Sequence, residues 1–135
     1  MANPFPSNAY HLPAYRKALE IFRISRAVAS YFGDDKHVVE MELSASHSHR
    51  YAGNLVSESL QLAPGIASIL STGNSEVKLR KIRRIRKAAK SLRLYCKKLE
   101  FCGVKEVEFV NLLRKEIRQF EYLTSEWVKQ IQKLP

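Results

Sequence analysis

The stretch Lys78–Lys98 reads KLRKIRRIRKAAKSLRLYCKK, and its apolar members decide the fold. Ile82, Ile85, Ala89, Leu92, Cys96 and Leu99 recur at spacings of 3, 4, 3, 4 and 3. A period near 3.6 residues puts them on one stripe of an α-helix. Ala88 and Tyr95 widen that stripe. Charge fills the other faces: eleven of the 21 residues are Lys or Arg, and none is Asp or Glu. The segment therefore reads as an amphipathic helix with a buried seam and a cationic exterior.

The run also carries the excess charge of the whole chain. The protein has 23 basic and 13 acidic residues, a net of +10, and the sequence outside these eleven holds 12 basic against 13 acidic. An ordinary solvated helix face interleaves Glu with Lys for i,i+4 support. This one does not. Charge concentrated in this way is costly in self-repulsion unless a polyanion or another counter-charged partner meets it.

At 135 residues the chain is one domain, and 45% hydrophobic residues are enough for a core. No apolar run approaches the ~20 residues that span a bilayer. The first residues, MANPFPSNAYHLP, lack the basic and apolar regions of a secretory signal. Cys96 and Cys102 fall six apart on one expected helix, about 9 Å along its axis. That is too far for a disulfide. Two buried thiols in a reducing cytoplasm are expected.

Outward from the basic helix, the same 3-4 period recurs. Residues 1–12, with Pro4 and Pro6, read as an irregular arm. Pro13 suits a first helical turn. Tyr15, Ala18, Phe22, Ser25, Ala29 and Phe32 predict a first helix over 13–32, closed by Gly33, with Asp34 or Asp35 capping the next. A second helix is expected from about 35, with a small, polar middle, SASHSHRYAGN, that would let a neighbour approach closely. Pro64-Gly65 predicts a kink or short break before a stop at Gly73. Asn74 or Ser75 caps the basic helix, which runs to about Phe101 and ends at Gly103. Val110, Leu113, Ile117, Phe120, Thr124, Trp127, Ile131 and Leu134 predict a fourth helix starting near Lys105, with Trp127 in the core. No segment alternates with period two. Four amphipathic helices on short turns predict an all-α, up-down-up-down antiparallel four-helix bundle over 13–135.

The block SLRLYCKKLEFCGV, followed by FVNLLRKEIRQFEYLTSEWVKQIQK, resembles the accessory variability proteins of bacterial diversity-generating retroelements. The matching positions are Leu92, Arg93, Leu94 and Tyr95, then Gly103, then Trp127 and Lys129, and Tyr15–Phe32 looks like the family's first helix. That family sits within a wider group of small four-helix bundle proteins, some encoded in intervening sequences of large-subunit ribosomal RNA genes. The wider group often carries a motif resembling S-I-P-A-N-I-A-E-G. Here Tyr51-Ala52-Gly53-Asn54-Leu55-Val56-Ser57-Glu58 is one residue longer between Asn and Glu, which favours the retroelement branch. The resemblance implies a basic homopentamer that binds RNA or DNA and works with a reverse transcriptase making mutagenic complementary DNA from template RNA.

From the charge pattern itself, Arg80, Arg83, Arg84, Arg86, Lys87, Lys90, Arg93 and Lys97 are the expected phosphate-binding residues. Arg83, Lys87, Lys90 and Lys97 fall near one outer strip, with Arg80, Arg84 and Lys98 on the next. Arg16, Arg23 and Arg26 on the first helix are expected to extend the patch. Such contacts hold a polyanion without reading its sequence. An acidic protein surface would suit the same charges. A membrane would not, since the apolar seam is committed to the core. Tyr95 is the nearest aromatic for base stacking, although its place beside the seam reads first as packing. His37, His47 and His49 do not make a metal site, because residues two apart on a helix point about 200° apart. The carboxylate pairs Glu40/Glu42 and Glu106/Glu108 diverge in the same way, and Asp34-Asp35 reads as a cap. Cys96 lies on the seam with no histidine placed as its base. No glycine-rich phosphate loop occurs. These absences lead to the expectation of a non-enzymatic protein without cofactor or metal.

Overall fold

The computed structural model of the chain describes residues 7–33, 46–102 and 107–133. They form a short 3₁₀ turn, Ser7–His11, and five helices: α1 (Pro13–Gly33), α2 (His47–Leu60), α3 (Leu62–Leu70), α4 (Ser75–Phe101) and α5 (Val107–Lys133). Among the described residues there is no strand. The second member of the bundle is the bent rod α2–α3, so the architecture is an all-α four-helix bundle.

Each boundary has a local cause. The Asn74 side chain accepts from the backbone N–H groups of Glu76 (2.9 Å) and Val77 (3.2 Å), which caps α4 as expected. Pro64 is the third residue of α3. Its ring crowds the carbonyl four residues back and its nitrogen offers no proton. The rod bends at Gln61, whose N–H turns to Glu58 at 3.3 Å, and the helical ladder resumes with Gly65 N–H donating to Gln61 at 3.0 Å. The kink expected at Pro64-Gly65 is therefore real, and the rod ends at Leu70 rather than Gly73. The expected continuous second helix is corrected at its other end. Ser46 is extended (φ −74°, ψ 123°), so α2 begins at His47 within the polar stretch. Residues 34–45 and 103–106 lie outside the described residues. With them lie the expected caps Asp34 and Asp35, the stop at Gly103, the start near Lys105, and His37. The expected irregular arm holds the 3₁₀ turn instead, with Ala9 buried and Tyr10 edge-on to Tyr15 at 5.3 Å.

Neighbouring helices are antiparallel. Between α4 and α5, Arg93 pairs with Glu121 while Glu100, about two turns later, pairs with Arg114. Between α4 and the rod, Tyr95 meets Tyr51 while Lys81 reaches Ser68. Between α1 and α5, Lys17 pairs with Glu116 at 2.5 Å and Tyr31 stacks on Phe109. Both α1 and α4 pack on the rod and on α5, and no substantial contact joins α1 to α4. These two helices hold opposite corners of the square.

All six seam residues of α4 are buried, against Leu55, Leu62, Ile66 and Ile69 of the rod and Leu113, Ile117 and Phe120 of α5. Each such aliphatic side chain contributes about 1.5–3 kcal/mol of transfer free energy. Trp127 is in the core as expected. Gly65 lets the rod approach α4 closely, since a Cβ there would meet the end of the Ile85 side chain. Among the described residues, no helix is long and apolar enough to cross a membrane.

Candidate nucleic-acid interface

Because the seam of α4 faces inward, its charges must face out. Arg80, Arg83, Arg84, Lys87, Lys90 and Lys97 are all exposed. Helical register places Arg80 and Lys87 on the outermost row, Arg83, Lys90 and Lys97 on the α5 side, and Arg84 and Lys98 on the α2–α3 side. No ion pair ties any of them to a carboxylate among the described residues. Among the described residues the only acid on this face is Glu76, in the first turn. The outermost row changes character along its length, ending in half-exposed Leu94 and in Phe101, which is 93% exposed.

Two expectations are corrected. Arg93 does not join the outward strip. Its Nε and one terminal nitrogen donate to the two carboxylate oxygens of Glu121, at 3.0 and 3.3 Å. Seven residues apart from Arg86 and on the same edge, it is drawn into the α4–α5 interface. Arg86 stays exposed on that edge, lining a cleft of about 240 Å³ with Glu121, Thr124 and Ser125. Arg16, Arg23 and Arg26 are also exposed, but on α1 at the opposite corner, with the Arg26 guanidinium 5.7 Å from the Phe22 ring. They form a separate, smaller basic face and do not extend the α4 patch within one chain. The register set by the Arg93–Glu121 and Arg114–Glu100 pairs brings exposed Arg118 of α5 beside Lys97 instead. In sequence it is one charge among Arg114, Lys115, Glu116 and Glu121, a face that mixes signs.

The groove between α2 and α4 holds an aromatic stack. The Tyr51 ring lies between His47 (6.1 Å) and Tyr95 (6.3 Å), with interplanar angles of 23° and 28°. The Lys98 ammonium sits 5.2 Å from the Tyr51 centroid and 5.9 Å from that of Tyr95, a cation–π arrangement that fixes a flexible side chain. Tyr95 is half-buried and packs on the core, as its place beside the seam implied. Tyr51 was hidden in a stretch read for its small residues. The available signal was its i,i+4 spacing from His47. His47 itself accepts at Nδ1 from the Arg50 guanidinium. Among the described residues, no three His, Cys, Asp or Glu side chains are grouped to hold a metal.

Lys81, within the basic run but outside the expected site, is half-buried and donates to the Ser68 and Thr72 hydroxyls, both at 2.7 Å. Cys96 is buried, and desolvation, helped by Glu100, pushes its thiol up to about 12. It is no nucleophile. Cys102 is exposed, contrary to the expectation that both thiols are buried.

The fold and this surface define the class: an antiparallel four-helix bundle with one carboxylate-poor cationic face. No known family, curated protein or solved structure matches the chain.

Proposed function

We propose that this protein binds the sugar-phosphate backbone of a nucleic acid along the outer face of α4, as a non-enzymatic accessory protein. One observation carries the reading: six exposed cations on that face, none paired with a carboxylate among the described residues. A protein surface held for stability alone would pair such charges or mix their signs. From Arg80 to Lys97 the row is about 26 Å long, enough to follow several consecutive phosphates. Contacts of this kind position a strand and leave sequence unread.

By resemblance, the nucleic acid is the template RNA or complementary DNA of a diversity-generating retroelement. The working partner is its reverse transcriptase, the assembly a homopentamer and the compartment the cytoplasm. Exposed Leu94 and Phe101 at the carboxyl end of the charged row support a protein contact there, whether with the polymerase or with another subunit. The alternative of a ribosomal-RNA intervening-sequence type bundle keeps the same surface and changes the partner. The separating experiment is binding of the full chain to RNA and DNA oligonucleotides across a salt series. Backbone binding requires a steep, sequence-independent loss of affinity with salt. A flat salt response, or no binding at low salt, rejects it in favour of an acidic protein partner.

A further inference from the structure

We infer that the cleft between α3 and α4 is a phosphate-binding subsite built on Lys81, Ser68 and Arg84. The inference deepens the nucleic-acid reading and rests on it for what bears the phosphate.

Gly65, Ile85 and Ala88 form the apolar wall of the cleft between the rod and α4. Its volume is about 200 Å³, and Gln61, Ser68, Lys81 and Arg84 supply its polar lining. That is below the range of pockets that enclose whole small molecules, and suits a single tetrahedral anion. Among the described residues no carboxylate lines it.

The hydrogen bonds set the polarity. Thr72 Oγ1 donates to the Ser68 carbonyl at 2.7 Å, so toward Lys81 it acts as acceptor. Ser68 Oγ also accepts from Lys81, which leaves its own proton to give. Two of the three ammonium protons are thereby held, and one remains. The Lys81 proton, the Ser68 hydroxyl, the Arg84 guanidinium and the Gln61 amide are all donors at one cleft, and three of the four belong to uncharged or freely solvated groups.

The ammonium also lacks a counter-charge. A half-buried cation is ordinarily matched to a carboxylate. Lys81 has only two neutral oxygens, and no ion pair reaches it among the described residues. A bound phosphate oxygen would complete the set. Arg84 is also on the outer face, so an anion in the cleft is continuous with a strand lying along α4.

The test uses the full-length chain with inorganic phosphate as probe. Backbone amide spectra are titrated with phosphate against chloride at matched ionic strength. Saturable shifts confined to Ser68, Thr72, Lys81 and Arg84, abolished by Lys81→Gln, support the cleft. Shifts spread evenly along α4, or none, overturn it. A single-stranded oligonucleotide then tests the bearer. Lys81→Gln should lower the log–log salt slope by about 0.7, one single-strand contact. Ser68→Ala, which removes no charge, should weaken binding about threefold or more at unchanged slope. Wild-type phosphate shifts without oligonucleotide binding retain the cleft as a free-phosphate site and reject the nucleic-acid reading. Steep oligonucleotide binding that both variants leave untouched rejects the cleft and retains that reading. If Lys81→Gln does not fold, Ser68→Ala and the wild-type titration decide.

Discussion

Replacing Arg83, Arg84 and Lys87 together with Gln should halve the salt dependence of nucleic-acid binding while leaving the fold intact. Leaving aside Lys98, which is held over Tyr51 and Tyr95, six exposed cations line the outer face of α4, and this change removes three of them. If each meets one phosphate of a duplex, the wild-type slope of log Kobs against log salt is about −5.4, and that of the variant about −2.7. Between 50 and 200 mM salt, wild-type affinity then falls about 10³-fold and the variant's about 40-fold. None of the three residues has an ion-pair partner among the described residues, so stability should change by less than about 0.5 kcal/mol. Relief of repulsion between neighbours one turn apart would, if anything, raise it. Fluorescence anisotropy on a labelled duplex across the salt series reads the slopes, and circular dichroism reads helicity and melting temperature. A variant slope still near the wild-type value would show that the strand does not lie on α4. Loss of helicity would show that these side chains hold the fold, and the reasoning would fail at its first step.

Arg93→Gln should behave in the opposite way, because its guanidinium is engaged by Glu121: melting costs about 0.5–1 kcal/mol and the salt slope of binding does not move. Gly65→Ala sets the displacement of the terminal Ile85 methyl, about 1 kcal/mol, against up to ~1 kcal/mol of helix propensity, for a net change near zero. Ile85→Val removes the methyl that collides, so in denaturant melts the double variant should cost less than the sum of the two singles. At pH 8 a thiol-specific reagent should label Cys102 rapidly and Cys96 only on unfolding, since with its thiol near 12 Cys96 is ionised in about one molecule in 10⁴. The unfolded thiol ionises near its ordinary value of 9.0, while the buried one stays neutral to about 12. Stability therefore falls as pH rises through that window, and Cys96→Ala should flatten the fall.

Much of the bundle is legible in residue order because a 3-4 spacing has one geometric meaning. Every seam residue named for α4 is buried, Asn74 caps where its side chain and position imply, and Pro64 bends the rod by the clash any proline makes. Ser46 shows the limit. The residues around it are small and polar, compatible with helix or turn, and the chain is extended there. The candidate site was legible to the same degree. That the charges of α4 face outward follows from the seam. That Arg93 is claimed by Glu121, while Arg86 seven residues earlier is exposed, depends on which level of α5 lies opposite.

Although the stripe read for α1 through Tyr15 and Phe22 falls instead on Ala14, Ile21 and Val28, residue order alone determined the inward stripes of α4 and α5 and the concentration of positive charge on α4. These are properties of a single helix, set by its period. Tertiary structure decided every relation between helices. It put α1 diagonally across from α4, so that Arg16, Arg23 and Arg26 form a separate face. It brought Tyr51 to Tyr95 beneath Lys98, and joined Ser68, Thr72 and Lys81 across a cleft. The period of a helix says which side is buried. Which neighbour covers that side, and at what level, is set by how the four seams interlock in three dimensions.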